Sequence, residues 1–442
     1  MRIYFFKNFW KKYFIEILVF FITVLMRMGL SFLLYIFLGN HAFVSFSDAT
    51  GFYVSSAYNL INHHVFSIQL SPPFFSDSIR TPFYPLFLSS LFIFKASFFT
   101  VVLVQNILAG IGGVLIYKIG RKIFGKTVGL SACLIMAFEP MSIYWNNLLM
   151  SDFFFSFILL VSFYFFIFKK ESAAALWGGV SVLVRPISLP LLLLWVSASS
   201  LLFKEKKFNW RQFIITLSII FLVIMPWMVR NKILFNTFQV SSVGWYNTYE
   251  MHLKSFAYKF NISLQQPKIF NQQGELIDVY DVRYNQLYKK LFLQTVSLHK
   301  LEYVQFYSLN TAKVFLDNDY DYLKDYVILG EFPSLKGTVV DQILKVLVYI
   351  GNYLWYLGFV VSLTGIFLSS GVQRRWSFLF LFVIILNNLL VGMSTKEGST
   401  DSRYFLPVAS LFYLLVANGI RKTFFVLKQK VFQLNNLYSK RK

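Results

Sequence analysis

The chain has 442 residues, 57% of them hydrophobic and only 14% charged, with Phe 53, Tyr 26 and Trp 9. A soluble domain of that composition lacks the polar surface to stay in solution, so the composition specifies an integral membrane protein. The formal charge of +22 would point to nucleic acid in a soluble protein, but membrane topology accounts for most of it here, and the single Cys133, inside an apolar run, excludes an intrachain disulfide and argues against thiolate chemistry.

In chain order, the first apolar run covers about 14–38; it is long enough to span, and no small-residue cleavage site follows it, so no cleavable signal peptide is expected. Next comes FSDATGFYVSSAYNLINHHVFS, Phe46 to Ser67, with Asp48 at its head and apolar or small residues at Ala49, Phe52, Tyr53, Ser56, Ala57, Leu60 and Ile61. That spacing predicts a helix with one greasy face, lying along the membrane surface and holding a carboxylate at the water–lipid boundary. The run TPFYPLFLSSLFIF, about 82–94, is short and proline-marked, and predicts a re-entrant or in-plane helix. Further spans are expected at about 98–117, 127–144, 151–168, 172–184, 187–203, 212–229, 342–369, 376–393 and 404–424, with the stretch around Arg185 and Pro186 also readable as one broken helix.

Basic clusters stand at every second connection: Lys7, Lys11 and Lys12; Lys118, Arg121, Lys122 and Lys126; Lys169 and Lys170; Lys204, Lys206, Lys207 and Arg211; Arg374 and Arg375; and the tail from Arg421 to Lys442. Ten spans with both termini cytoplasmic place all of them inside, in a cell inner (plasma) membrane. The fold class is therefore all-α, a polytopic membrane protein of about ten transmembrane helices with in-plane helices in the first outer loop. Three regions are expected: 1–230, a transmembrane module with that outer loop at 39–97; 231–341, an extracytoplasmic region with helical periodicity at 278–315; and 342–442, the last helices and a basic tail. No internal repeat emerges, which counts against an inverted-repeat transporter.

Ionisable groups at the outer boundary form a short set: Asp48, Asp77, Arg80, Glu139, Asp152, Arg185, Arg230 and Arg403. Charges at membrane depth are costly and mark functional sites. Each also has a structural reading, since arginines at helix ends snorkel to lipid phosphate and Asp48 or Asp152 fits an N-cap. Their common side is what points to function. Other signals are weaker. Adjacent His63 and His64 diverge on a helix and make a poor metal pair. Asp317, Asp319 and Asp321 lack the glycine and glutamate of a calcium loop, and a surface or structural role is expected. Nearly all of these charges are expected at the outer rim, and Arg27 is the exception. No phosphate-cradling glycine loop, zinc spacing or serine-nucleophile elbow occurs.

With these residues assembled, the chain resembles a GT-C superfamily glycosyltransferase of the dolichyl-phosphate-mannose protein mannosyltransferase type (glycosyltransferase family 39), which includes the aminoarabinose transferases acting on lipid A. The carrying segments are SDATGFYVSSAYNL, IRTPFYPLFLSSLFIF, IYKIGRKIFGK with EPMSIYWNNLLMSDFFF, LVRPISLPLLLL, PWMVRNKILFNTFQVSS and SRYFLPVASLFYLL. The resemblance implies a polyprenyl-phosphate-sugar donor, a lipid, protein or glycan acceptor on the extracytoplasmic face, and inversion at the anomeric carbon. It implies Asp48 as general base and Asp152 as the second acid. It also implies a pocket walled by Tyr84, to which Tyr53, Arg80, Glu139 and Tyr404 are added. Arg80 stands where a metal ligand would be wanted, so no cofactor is carried over. About 18 residues follow the last span, so the soluble C-terminal domain of some relatives is not expected.

The chemistry then assigns roles. A lipid monophosphate leaving group can be held by arginine forks, for which Arg230 and Arg403, supported by Arg185, are the expected clamp. Phe and Tyr side chains would line the isoprenoid groove among membrane lipids. A transporter or flippase of lipid-linked glycans, or a glycan polymerase or ligase, are the rival readings.

Overall fold

The computed structural model describes residues 2–45, 47–202, 210–270, 279–396 and 402–439. Phe46, Lys204, Lys206, Lys207 and the closing Lys440, Arg441 and Lys442 lie outside the described residues, as do the side chains of Lys7 and Lys11.

The described elements are helical throughout. The first module runs α1 (Arg2–Leu38), α2 (Ser55–His63), α3 (Phe83–Phe92), α4 (Phe98–Ile123), α5 (Lys126–Phe138), α6 (Pro140–Asn146), α7 (Ser151–Ile167), α8 (Glu171–Val184), α9 (Ser188–Leu202) and α10 (Trp210–Phe235). The outer region holds α11 (Val243–Tyr246), α12 (Lys254–Lys259), α13 (Tyr284–Leu298), α14 (Lys300–Leu316), and the single turns α15 (Tyr320–Tyr322) and α16 (Leu329–Glu331). The chain closes with α17 (Val339–Leu368), α18 (Gly371–Gly392) and α19 (Leu406–Ser439).

Each of the ten expected spans is helical. Six of these helices are long and apolar enough to cross a membrane, or seven if the bent pair α5–α6 counts as one span. The others, α7, α8 and α9, are apolar but shorter than the roughly 20 residues a straight crossing needs. Helix pairs α1–α4, α4–α5, α7–α8, α8–α10 and α17–α19 pack along their lengths. Small residues permit the tightest approaches: a Cβ on Gly120 of α4 would come within 2.5 Å of Gly129 Cα in α5, and Gly365 of α17 meets Gly419 of α19 in the same way. Without a hydrophobic drive between helices in lipid, such close backbone packing supplies much of their association.

The bend between α5 and α6 is 62° and follows from three residues. Pro140 has no N–H to give the Met136 carbonyl one turn back. Arg27, fully buried in α1, donates to that carbonyl at 3.3 Å and to Ser142 Oγ at 3.0 Å. Glu139 caps the new start of α6, accepting from the Met141 and Ser142 amides at 3.0 and 2.5 Å. The in-span charge is thus a helix-end partner for a broken span.

The outer region has its own core, in which Tyr249, Leu253, Phe256, Tyr284, Tyr288 and Phe306 are buried together. Its α13 and α14 fall on the predicted periodicity at 278–315.

Candidate active site

Asp48 stands in helical conformation at the head of a π-helical turn, Ala49–Val54, that runs into α2. Such turns widen the backbone locally and recur at functional sites. Its side chain caps nothing. Instead the carboxylate is 3.4 Å from Arg403 Nη1 and 3.8 Å from Arg80 Nη2, and it is 30% exposed. The Arg80 guanidinium lies over Phe52 at 4.0 Å and 5.2 Å from the Tyr53 ring. Arg403 donates to the Tyr404 hydroxyl at 3.1 Å.

Asp152, in the first turn of α7, has no exposed surface. It is not an N-cap: Met150 holds that position. One of its oxygens accepts from Arg185 Nη2 at 2.6 Å, Arg185 Nε donates to Ser151 Oγ at 2.9 Å, and the Tyr53 hydroxyl meets the same Ser151 oxygen at 2.7 Å. The sequence VRP explains the placement of Arg185. A residue before proline is pushed to extended backbone, so α8 stops at Val184 and Arg185 is free to turn inward. Thr81 of the first outer loop caps that helix end, donating to the Val184 carbonyl at 2.7 Å.

Asp48, Tyr53, Arg80, Arg185, Arg403 and Tyr404 line one cavity of about 910 Å³. Asp152 lies behind it, joined through Arg185. Tyr84 is fully buried one layer deeper, edge-on to Tyr53 at 5.2 Å, with its hydroxyl donated to Gln105 at 2.9 Å.

Two expected site residues are placed elsewhere. Arg230 is not among the cavity-lining residues: it donates to the Asp77 carbonyl at 2.7 Å and lies over Trp227 at 4.6 Å, because aromatic rings and a loop carbonyl meet its planar fork before the cavity does. It ties down the turn in which Asp77 accepts from the Ile79 and Arg80 amides at 2.7 and 3.2 Å. Glu139 caps α6, takes hydroxyl bonds from Tyr320 and Tyr413 at 3.1 and 3.3 Å, and borders a separate apolar cavity of about 410 Å³.

Sequence reasoning missed a whole wall. Trp245, Tyr246, Asn247, Thr248 and Tyr280 from the outer region, with Ser394 to Lys396 after α18, complete the cavity. No spacing in the sequence links them to Asp48. Asp319, for which a surface or structural role is expected, is buried and accepts from the Ser402 amide beside Arg403. Among the described residues, no three His, Cys, Asp or Glu side chains are grouped to share a metal ion.

Residues 80–229 match the family described as dolichyl-phosphate-mannose-protein mannosyltransferase. The resemblance read from the sequence holds. The match covers about a third of a chain whose described helices include six long and apolar enough to cross a membrane. The chain's fold is similar to the Archaeoglobus fulgidus oligosaccharyltransferase in the apo form, with TM-score 0.52 and 12% identity over 97% of this chain and 52% of that one. The archaeal oligosaccharyltransferase AglB from the same organism, in complex with an inhibitory peptide and a dolichol-phosphate, gives TM-score 0.50 at the same identity and coverage. ArnT from Cupriavidus metallidurans bound to undecaprenyl phosphate gives TM-score 0.41 and 11% identity over 90% of this chain and 77% of that one. The chain spans about half the length of the oligosaccharyltransferase. No curated protein sequence matches it.

Proposed function

We propose that the chain transfers a sugar from a polyprenyl-phosphate donor to an acceptor hydroxyl on the extracytoplasmic face, with inversion at the anomeric carbon. The observation that carries this reading is the meeting of Asp48 and Arg80 of the first outer loop with Arg185 and Arg403, from three distant parts of the chain, on one cavity. Asp48 takes the acceptor proton as its oxygen attacks C1. The C1–O bond opposite breaks, and the lipid leaves as a phosphate monoester carrying the bond's electron pair.

Arg403 and Arg185 are the phosphate forks in this reading, with Arg80 beside them. Guanidinium groups match phosphate oxygens bidentately, and they act strongly where water is scarce. Arg80 and Arg403 also pair with Asp48, so a donor phosphate competes for them and leaves the carboxylate available as a base. Asp152 fixes Arg185 and acts as a positioning residue. Ten crossings with both termini cytoplasmic complete the reading, with 1–230, 231–341 and 342–442 as its three regions.

The test is protein in lipid nanodiscs given radiolabelled polyprenyl-phosphate sugars. Release of free polyprenyl phosphate is the expected result, and movement of intact donor without cleavage would instead mark a flippase. Asp48→Asn should cost on the order of 10²–10⁴ in turnover while donor binding stays near wild type. Arg403→Ala should weaken donor binding itself. Full turnover in Asp48→Asn sinks the base assignment.

A further inference from the structure

Resting on the transferase reading, we propose that the acceptor is a carbohydrate, held by its C–H face against an aromatic wall made by Trp245, Tyr246 and Tyr280. The cavity has two chemically different sides. One carries Asp48, Arg80, Arg185 and Arg403, which suit the anionic donor. The other joins Trp245, Tyr246 and Tyr280 to Asn247, Thr248, Ser394 and Thr395. Rings interspersed with amide and hydroxyl groups suit a ligand with apolar C–H faces and polar edges, which is the surface of a sugar ring. The Thr248, Ser394 and Thr395 hydroxyls already donate to backbone carbonyls at 2.9, 3.0 and 3.3 Å, so the Asn247 amide is the group that a hydrocarbon tail would desolvate at a cost and that a sugar hydroxyl can engage.

The wall is continuous with the base. Tyr246 packs on Tyr280 at 4.9 Å, Tyr280 meets Phe52 edge-on at 5.7 Å, and Phe52 lies beneath Arg80, whose guanidinium is 3.8 Å from Asp48. A ring seated on the wall therefore presents its rim toward the carboxylate. The wall is also preformed: Trp245 is backed by Phe292 at 6.2 Å and Tyr246 by Tyr288 at 6.4 Å, both within the outer region's core. A rigid platform loses little side-chain freedom on binding. These residues lie outside the stretch 80–229 that matches the family pattern.

The experiment is saturation-transfer NMR on the full chain in nanodiscs, irradiating aromatic protons. The probes are methyl glycosides and disaccharides of the gluco, galacto, manno and N-acetyl series, with a Ser/Thr-rich peptide as the competing acceptor class. Saturation should pass to ring C–H protons of at least one saccharide and not to the peptide. Trp245→Leu should weaken that saccharide's binding about tenfold, the effect expected for losing one aromatic stacking contact, while Trp245→Phe largely keeps it. Saccharide signals of equal strength in wild type and Trp245→Leu overturn the proposal, as does transfer to the peptide alone. Thermal unfolding of each variant identifies any that fail to fold, and Tyr280→Leu then takes the place of Trp245→Leu. Binding of undecaprenyl phosphate, measured in the same samples with Arg403→Ala as control, tests the transferase reading separately. Retained lipid binding without saccharide binding defeats only the acceptor proposal.

Discussion

Asp152 has one oxygen 2.6 Å from the Arg185 guanidinium, the other without a hydrogen-bond partner, and no exposed surface. A pair of this kind adds little net stability, because two desolvated charges offset their own attraction, but removing one partner strands the other. Arg185→Leu should therefore lower stability by about 3–5 kcal/mol, and Arg185→Leu with Asp152→Leu should recover much of that loss in a thermal unfolding scan. A different balance holds at Asp77. Burial pushes its carboxyl up to about 6, against the Ile79 and Arg80 amides and the charges of Arg80 and Arg230. The folded chain then keeps a proton that the unfolded chain releases above about pH 4, so this group's contribution falls as pH rises from 4 through 6. The slope is worth on the order of 2–3 kcal/mol. Asp77→Asn should remove it from a stability–pH curve.

Helix ends, not helix middles, hold the groups proposed to act. The break at Pro140 needs Arg27 on the end of α5 and Glu139 on the start of α6, and α6 in turn carries Trp145, which donates to Ser402 Oγ at 2.9 Å beside Arg403. Glu139→Ala should cost about 1–2 kcal/mol as a lost cap, and Arg27→Leu about 1–3 kcal/mol as a lost donor to buried acceptors. The two act on one network, so the double variant should fall short of their sum in unfolding measurements. At the α8 end, Pro186 sets the backbone of Arg185 and Thr81 closes the helix, which couples the first outer loop to the same cavity.

Across the molecule, the two ends of the helix bundle differ in charge and chemistry. At one end Arg421 donates to the Phe124 carbonyl, Gln373 to the Ile123 carbonyl at 3.4 Å, and Lys122 lies over Phe168 at 4.1 Å. The basic connections after α4, α7 and α17 thus gather together, away from the cavity. At the other end the outer region docks through His252, buried between the Thr395 carbonyl and the Tyr303 hydroxyl, both at 3.2 Å. Burial pushes this imidazole down to about 4. It stays neutral in the folded chain while the unfolded form takes a proton below about 6.5, so its contribution is complete above that pH and lost as pH falls toward 4. The sign is opposite to that of Asp77. His252→Gln should therefore flatten the acid side of the stability–pH curve and leave the rise toward pH 4 from Asp77 in view.

The sequence by itself determined what one-dimensional patterns can encode. Apolar length located ten helical segments, lysine and arginine spacing grouped the basic connections, and Arg185–Pro186 marked a break, whereas the bend at Pro140 fell inside a single expected span at 127–144. It also named Asp48, Arg80, Arg185 and Arg403, because charge at a membrane boundary is costly wherever it occurs. The directions of those side chains were decided only by tertiary contacts. Arg230 looked equivalent to Arg403, yet one faces a loop carbonyl and the other reaches Asp48 from 355 residues away. The aromatic wall likewise comes from a polar outer region whose local periodicity shows which residues share a helix face but not which cavity that face will close.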